Sequence, residues 1–400
     1  MGRSVDLITV QTLPDPPHRN VVRVRPGRRL AVEANREVDH SLTPWVHFLT
    51  PIAMARGAAL RLEGPADATA LPASRAAQRV LAEWWPDFAE VEVEADWTEP
   101  TRPADGVGLF FSGGVDSFYS ALQHADEVTH LIFVSGFDIG LHKDDLTRRT
   151  LEVIREVAAD MGKELLEART NIRKLSNQYC DWGKQYHGAA LAGIAHMFSP
   201  VIGKAIIPAS FADDHAWGSH HRLDPLWSSR VTIVHDETVR RIDKLARIAE
   251  SDLALKHLRV CYSASNAEYN CGRCEKCLRT MTSLYTFGAL DRARTLPHTI
   301  DPARVRKLYL KGSGRIFAEE NLARLREMPD QDLKLERALA TALRRSPGRG
   351  KRRRAKKKLR LFWQDARLLP GRAARAARRR VPATVKARLR ALAGRGRPQG

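Results

Sequence analysis

LFFSGGVDSFYSAL, residues 109–122, is the stretch on which the fold turns. Three apolar residues run into Ser112, Gly113 and Gly114; Val115, Asp116 and Ser117 follow, and an apolar pattern of helical spacing continues from Phe118. Glycines at a strand-to-helix turn let backbone come close to a ligand and take dihedrals a side chain would forbid. The first N–H groups of the following helix lack backbone partners and carry the positive end of its dipole, so they bind anions. Ser112 and Ser117 add hydroxyl donors. Asp116 would repel a bare phosphate, and its presence makes sense where Mg²⁺ sits between it and the phosphates. The stretch therefore predicts a polyphosphate cradle with a metal-holding acid. It is not a Walker loop, because G-x-x-x-x-G-K-[ST] does not occur in the chain. The simpler alternative is a glycine turn between a buried strand and a helix. Six matching residues in a strand–turn–helix setting argue against it.

Outward from this loop, strands and helices alternate. VGLFFS, HLIFVSG, KELLEART, KAIIPAS and RVTIVHD read as five strands, with DDLTRRTLEVIREVAADMG and HGAALAGIAHMFSP among the helices between them. Alternation of this kind predicts an α/β domain over 107–290, Rossmann-like, with a mostly parallel five-stranded sheet and helices on both faces. Ligands of such sheets sit at the carboxyl ends of the strands. That places residues 112–117, 135–138, 170–173 and 210–214 around one crevice, with Phe137 a candidate nucleotide contact. Arg173, Lys184 and His187 are candidates to neutralise phosphate charge, the simpler alternative for each being a surface salt bridge.

CYSASNAEYNCGRCEKC carries Cys261, Cys271, Cys274 and Cys277, two C-x-x-C steps sharing Cys274. Thiolates at this density suit tetrahedral Zn²⁺, and Gly272 permits the tight knuckle between neighbouring sulfurs. No ligand position is vacant, so the site is expected to be structural. An iron–sulfur cluster is the competing occupant.

SGGVDS resembles the pyrophosphate-binding loop of the ATP pyrophosphatase (PP-loop) superfamily, whose members generally cleave ATP between the α- and β-phosphates. The cysteine spacing, GKAIIPASFADD and the lysine-bearing IDKLARIAE are similar to the 7-cyano-7-deazaguanine synthase family over roughly residues 107–287. That family also has an arginine shortly after the last cysteine, matched by Arg279. The resemblance implies an AMP-forming ligase of the HUP-type fold that binds ATP through Ser112, Gly113, Gly114, Val115, Asp116 and Ser117, with zinc on the four cysteines; Asp116 and Ser117 of the loop, with Lys184 and Arg173 by their position beside the crevice, are the candidate catalytic residues. The family's acid-tyrosine-serine-glycine-tyrosine substrate segment is absent; FADDHAWGSHHRLDPLWSS stands in its place. A relative with a different substrate is expected. Asp213, Asp214, His215, His220 and Asp224 in that segment, with Arg279, are the candidate substrate contacts. The alternative for the segment is a solvated loop with satisfied histidines.

Residues 1–97 read as a small α+β unit: short strands about Val22–Val24 and Leu30–Val32, a helix ending at Gly57, a helix capped by Ser74 and stopped by Pro86, and a strand through Val91, Val93, Ala95 and Trp97. Residues 98–106 form a linker, 291–343 a helical segment, and 344–400 a basic tail. The net charge of +20 is confined to that tail, which holds 22 of the 66 Lys and Arg but only Asp365 of the acids. The remaining chain has 44 basic against 45 acidic residues and shows no stripe or stacking motif of an RNA module. The tail is expected to be disordered, touching RNA or an anionic membrane surface weakly.

No run of 18 apolar residues exists, and MGRSVDLITVQTLPDPP lacks the apolar core of a secretory signal. With four of five cysteines clustered, a reducing cytoplasmic setting is expected. Cys180, the fifth, lies beside Tyr179 and reads as a small core residue more readily than as a sulfur carrier. The function expected is adenylation of a small-molecule carboxylate or similar oxygen, followed by ligation to ammonia or an amine. The alternatives are a tRNA-modifying enzyme adenylating a base, or a nucleotide-binding module without catalysis.

Overall fold

The computed structural model describes residues 7–25, 27–210, 215–261, 268–330 and 332–345. The basic tail from 346 onward, with Asp213 and Asp214, lies outside them. Strands are β1 Leu7–Leu13, β2 Arg19–Val24, β3 Arg28–Ala34, β4 Ala59–Asp67, β5 Val93–Thr98, β6 Gly106–Phe110, β7 His130–Ser135, β8 Glu164–Thr170, β9 Ile202–Ile207 and β10 Thr232–His235. Helices are α1 Thr43–Arg56, α2 Ala70–Trp84, α3 Val115–Gln123, α4 Asp144–Asp160, α5 Arg173–Ser176, α6 His187–Met197, α7 Arg241–Ala249, α8 Asp252–His257, α9 Glu275–Thr286, α10 Pro302–Val305, α11 Ser313–Glu327 and α12 Leu333–Leu343. Among the described residues no helix is long and apolar enough to cross a membrane.

The fold is α/β with a mixed, mostly parallel sheet, but the sheet has ten strands and not five, in the order β10-β9-β6-β7-β8-β3-β2-β1-β4-β5. The five expected strands make the parallel block β10 to β8. The correction lies at its edge. β3 pairs antiparallel with β8, Val32 opposite Thr170 and Ala34 opposite Ala168, so the N-terminal strands continue the same sheet. β1, unmarked in the sequence reading, then joins β2 to β4.

Strand side chains alternate between two apolar layers. Phe110, Ile132, Val134 and Ala205 pack with α1, α2 and α6. Leu109, Phe111, Leu131, Phe133 and Ile206 pack on the other face, with α3, α4, α7, α8 and α9. Helices α10 to α12 add a third cluster through Leu278 of α9. As expected, α1 stops at Gly57, whose φ of +61° suits its left-handed cap. Ser74 does not cap α2: the helix starts at Ala70, and Ser74 is buried, its hydroxyl 3.1 Å from Thr50 Oγ1 on α1.

Where α1 crosses α6, a Cβ on Gly193 would sit 2.7 Å from the Phe48 ring, so only glycine lets the helices approach this closely. One turn away His47 and His196 stack with centroids 4.2 Å apart, both fully buried. Burial, with His196 as a second positive neighbour, holds His47 well below its ordinary value, and burial brings His196 down to about 4. Both imidazoles are therefore neutral in the fold, whereas the unfolded chain takes up protons below about pH 6.5. Stability from this pair is complete above about pH 6.5 and is lost as pH falls toward about 4, by an expected few kcal/mol. Chemical denaturation from about pH 7.5 to about pH 4.5 checks this. An unchanged slope in a His47→Asn/His196→Asn variant would remove the pair as its cause.

Candidate active site and metal centre

The sheet turns back on itself between β6 and β9. The chain runs from β6 outward to β7 and β8, then crosses to β9 on the other side of β6. Such a switch point opens a crevice at the strands' carboxyl ends. A crevice of about 590 Å³ lies there, lined by Ser112, Gly114, Val115, Asp116 and Ser117. Gly113 takes φ +74°, a left-handed conformation that favours glycine. Ser117 Oγ donates to Gly114 O at 3.1 Å and accepts from Ser112 N at 3.3 Å, closing the loop on itself. Gly114 caps α3 without a side chain, which leaves the backbone N–H groups of the helix start open beside Asp116 and Ser117 of its first turn.

Asp116 meets Arg241 Nη1 and Lys244 Nζ, each at 3.4 Å. These are long contacts, and Lys244, 1% exposed, makes its short bond to Ala209 O at 2.6 Å instead. The carboxylate is thus steered by two cations without being consumed by either. Six basic side chains line the crevice, Lys143, Arg173, Arg241, Arg259, Lys276 and Arg279, against the acids Asp116 and Asp138. A body that is neutral on average thus focuses positive charge at one place. Burial, and then Arg241 and Arg279, pull the Lys276 ammonium down to about 8.

Phe317 of α11 sits against two guanidinium groups, 4.6 Å from Arg279 and 5.3 Å from Arg241. At the other end Arg173 lies 4.3 Å over Trp182 and donates to Phe137 O at 2.5 Å. Phe137 and Trp182 are 5.0 Å apart there, and burial keeps the nearby His187 imidazole below its ordinary value.

Of the expected contacts, the loop residues, Phe137, Arg173 and Arg279 line this crevice. Gly113 lies directly behind it, its carbonyl accepting from Arg259 N at 2.7 Å. Lys184 does not line it: the side chain is exposed, and its backbone N–H caps onto Asp181. Asp224 is fully buried away from it, 2.6 Å from Ser219 Oγ and 2.7 Å from His235 Nδ1. His220 packs edge-on against Trp84 at 4.9 Å, and His215 is exposed beside Trp217. Among the described residues of the histidine-rich segment, Trp217 and Ser219 reach the crevice and His220 and Asp224 make contacts within the fold. Cys180 is buried, donates to Pro51 O, and burial pushes its thiol up to about 12, so it is an inert core residue. Lys143, Arg241, Arg259, Lys276 and Phe317 escaped the sequence reading. Lys276 and Arg259 flank the cysteines, and Arg241 precedes Lys244 by three on α7, which were the available signals.

The sulfurs of Cys261, Cys271, Cys274 and Cys277 all lie within 4.8 Å of one another. Cys261 and Cys274 are 3.8 Å apart, Cys271 and Cys277 3.9 Å. Four thiolates about 2.3 Å from one Zn²⁺ would be separated by about 3.8 Å, the edge of that tetrahedron. The spacing fits a single ion such as zinc; a cluster of several irons would spread the sulfurs. Cys271 Sγ accepts from Cys274 N and Cys274 Sγ from Cys277 N, which orients the thiolates. Gly272 turns with φ +61° directly under Pro297, where a Cβ would lie 2.4 Å from the ring.

No protein-family model, curated protein or solved structure matches the chain.

Proposed function

We infer that the crevice binds Mg-ATP and activates an acceptor oxygen by adenylation. The observation that carries this reading is the Ser112–Gly113–Gly114 turn and the start of α3 opening at the switch point, inside a ring of six basic side chains. The loop's similarity to PP-loop enzymes points the same way. The backbone N–H groups at the start of α3 and the Ser117 hydroxyl receive the β- and γ-phosphates. Asp116 would hold Mg²⁺, which would neutralise charge on the polyphosphate. The acceptor's oxygen, best a carboxylate, forms a bond to the α-phosphorus while the bond from that phosphorus to the bridging oxygen breaks. Pyrophosphate leaves with the electron pair. Arg241, Lys276 and Arg279 offset the growing negative charge. Ammonia or an amine then adds to the acyl carbon, AMP departs, and the nitrogen gives up a proton. The Lys276 ammonium, brought down to about 8 by burial, remains mostly protonated near pH 7, and its neutral minority is the form that could take that proton.

The test uses purified protein, Mg²⁺, α-labelled ATP and a small-molecule extract of the source cell, with and without ammonium. AMP and pyrophosphate that depend on the extract, and vanish with Asp116→Ala, are expected. ADP as the product would sink the α-phosphate chemistry.

A further inference from the structure

The cysteine centre and the phosphate loop meet at Gly113. Asn270, the residue before Cys271, spends its whole amide, with three of its four bonds on the opposite limb of the knuckle. Its Oδ1 accepts from Val260 N at 2.9 Å and Cys261 N at 3.2 Å. Its Nδ2 donates to Leu258 O at 2.8 Å and to Thr295 O at 3.2 Å. The clipped stretch 258–261 then donates Arg259 N to Gly113 O at 2.7 Å, and the Arg259 side chain continues into the crevice. From the other limb comes Tyr269. A Cβ placed on Gly113 would lie 3.6 Å from the Tyr269 hydroxyl and equally 3.6 Å from Arg259 Cβ.

Tyr269 is 7% exposed, and neither its hydroxyl nor Arg259 Nε has a hydrogen-bond partner among the described residues. A buried polar atom left unmade costs about 1–3 kcal/mol, so the unpaired Tyr269 hydroxyl beside Gly113, with the Arg259 side chain running from the same turn into the crevice, calls for a ligand. That turn is the one that would hold phosphate.

We propose that Tyr269 and Arg259 are anion-binding donors for a phosphate seated at Gly113 and Gly114, and that the metal-loaded cysteine knuckle, with Asn270 as its clip, positions them. The proposal rests on residues 112–117 being a phosphate loop. It makes the metal centre a determinant of phosphate affinity as well as of stability. Asn270 touches no substrate and acts as a positioning residue.

The experiment uses the full chain with its zinc content measured, and follows binding of inorganic pyrophosphate and of Mg-ATP by calorimetry. Tyr269→Phe deletes one unpaired oxygen. It should weaken pyrophosphate binding by about tenfold, in keeping with one hydrogen bond to a charged group, while thermal stability stays level or rises. Asn270→Ala should lose at least as much affinity while retaining its metal. Wild-type pyrophosphate affinity in Tyr269→Phe would make the hydroxyl an ordinary unpaired core group and overturn the proposal. Wild-type affinity in metal-loaded Asn270→Ala would break the link between knuckle and loop. Should Asn270→Ala fail to fold, Tyr269→Phe decides alone. A wild-type protein that binds neither pyrophosphate nor ATP overturns the phosphate reading itself, a result distinguishable from loss in the variants only.

Discussion

Asp116→Asn is expected to lower AMP formation by about two to three orders of magnitude, the usual scale for removing one preorganised electrostatic group from a reacting phosphate or acyl centre. Asparagine keeps the shape and removes the charge, so it loses the carboxylate proposed to hold Mg²⁺ while leaving the Ser112–Ser117 turn in place. The stability cost is expected to be smaller. Asp116 is 26% exposed at the side chain and its contacts to Arg241 and Lys244 are both a long 3.4 Å, but both cations are buried, so losing their carboxylate costs about 1–3 kcal/mol. Lys244 also keeps its bond to Ala209 O. A melting curve near that of wild type beside a collapsed turnover would locate the effect in chemistry. A variant within a few-fold of wild type would show that Asp116 holds no metal.

Cys277→Ser should empty the metal centre and destabilise the chain by several kcal/mol, since structural zinc in small peptides binds with about 10–16 kcal/mol and much of that is folding energy. Cys277 is fully buried in the same apolar cluster as Leu258, Met281 and Leu284, on the face that α3 and α4 also occupy. Losing the ion therefore loosens α9 and the helices around it. Metal analysis and thermal unfolding check this, with Cys180→Ser as the control that keeps its ion. One full equivalent of tightly bound metal in Cys277→Ser would show that Cys277 is not a ligand.

What the sequence made legible was local. The glycine loop, the parallel strands and the cysteine knuckle each sit within a window of a few residues, where period and spacing act directly. The seam between β3 and β8 did not, because its three residue pairs join positions more than 130 apart and each strand alone shows only ordinary alternation. Ser74 looked like a helix cap because serine is good at capping; tertiary packing used it as a clip to Thr50 instead. The histidine-rich loop misled in the same way. His220 packs against Trp84 and Asp224 bonds Ser219 and His235 inside the fold, and a dense run of titratable residues does not distinguish that from a pocket. The crevice cations come from α5, α7, α9, the residue before α4 and the stretch before Cys261. Arg173 and Arg279 were legible, but Lys143, Arg241, Arg259 and Lys276 each read singly as a solvated surface charge, and the topology assembles them.

The antiparallel seam also sets an order of events during synthesis. β3 is complete at Ala34, but the strand it pairs with ends only at Thr170. At about 5–20 residues per second, the ribosome needs roughly 7–27 s to supply that partner. For that interval the N-terminal strands have an open edge, carrying Arg28 and Arg29 at one end and Glu33 near the other. Charges along an unpaired edge discourage strand-to-strand association with other chains. The polar residues of β3, which do nothing for the crevice, thus guard the nascent sheet until the second half of the protein arrives to close it.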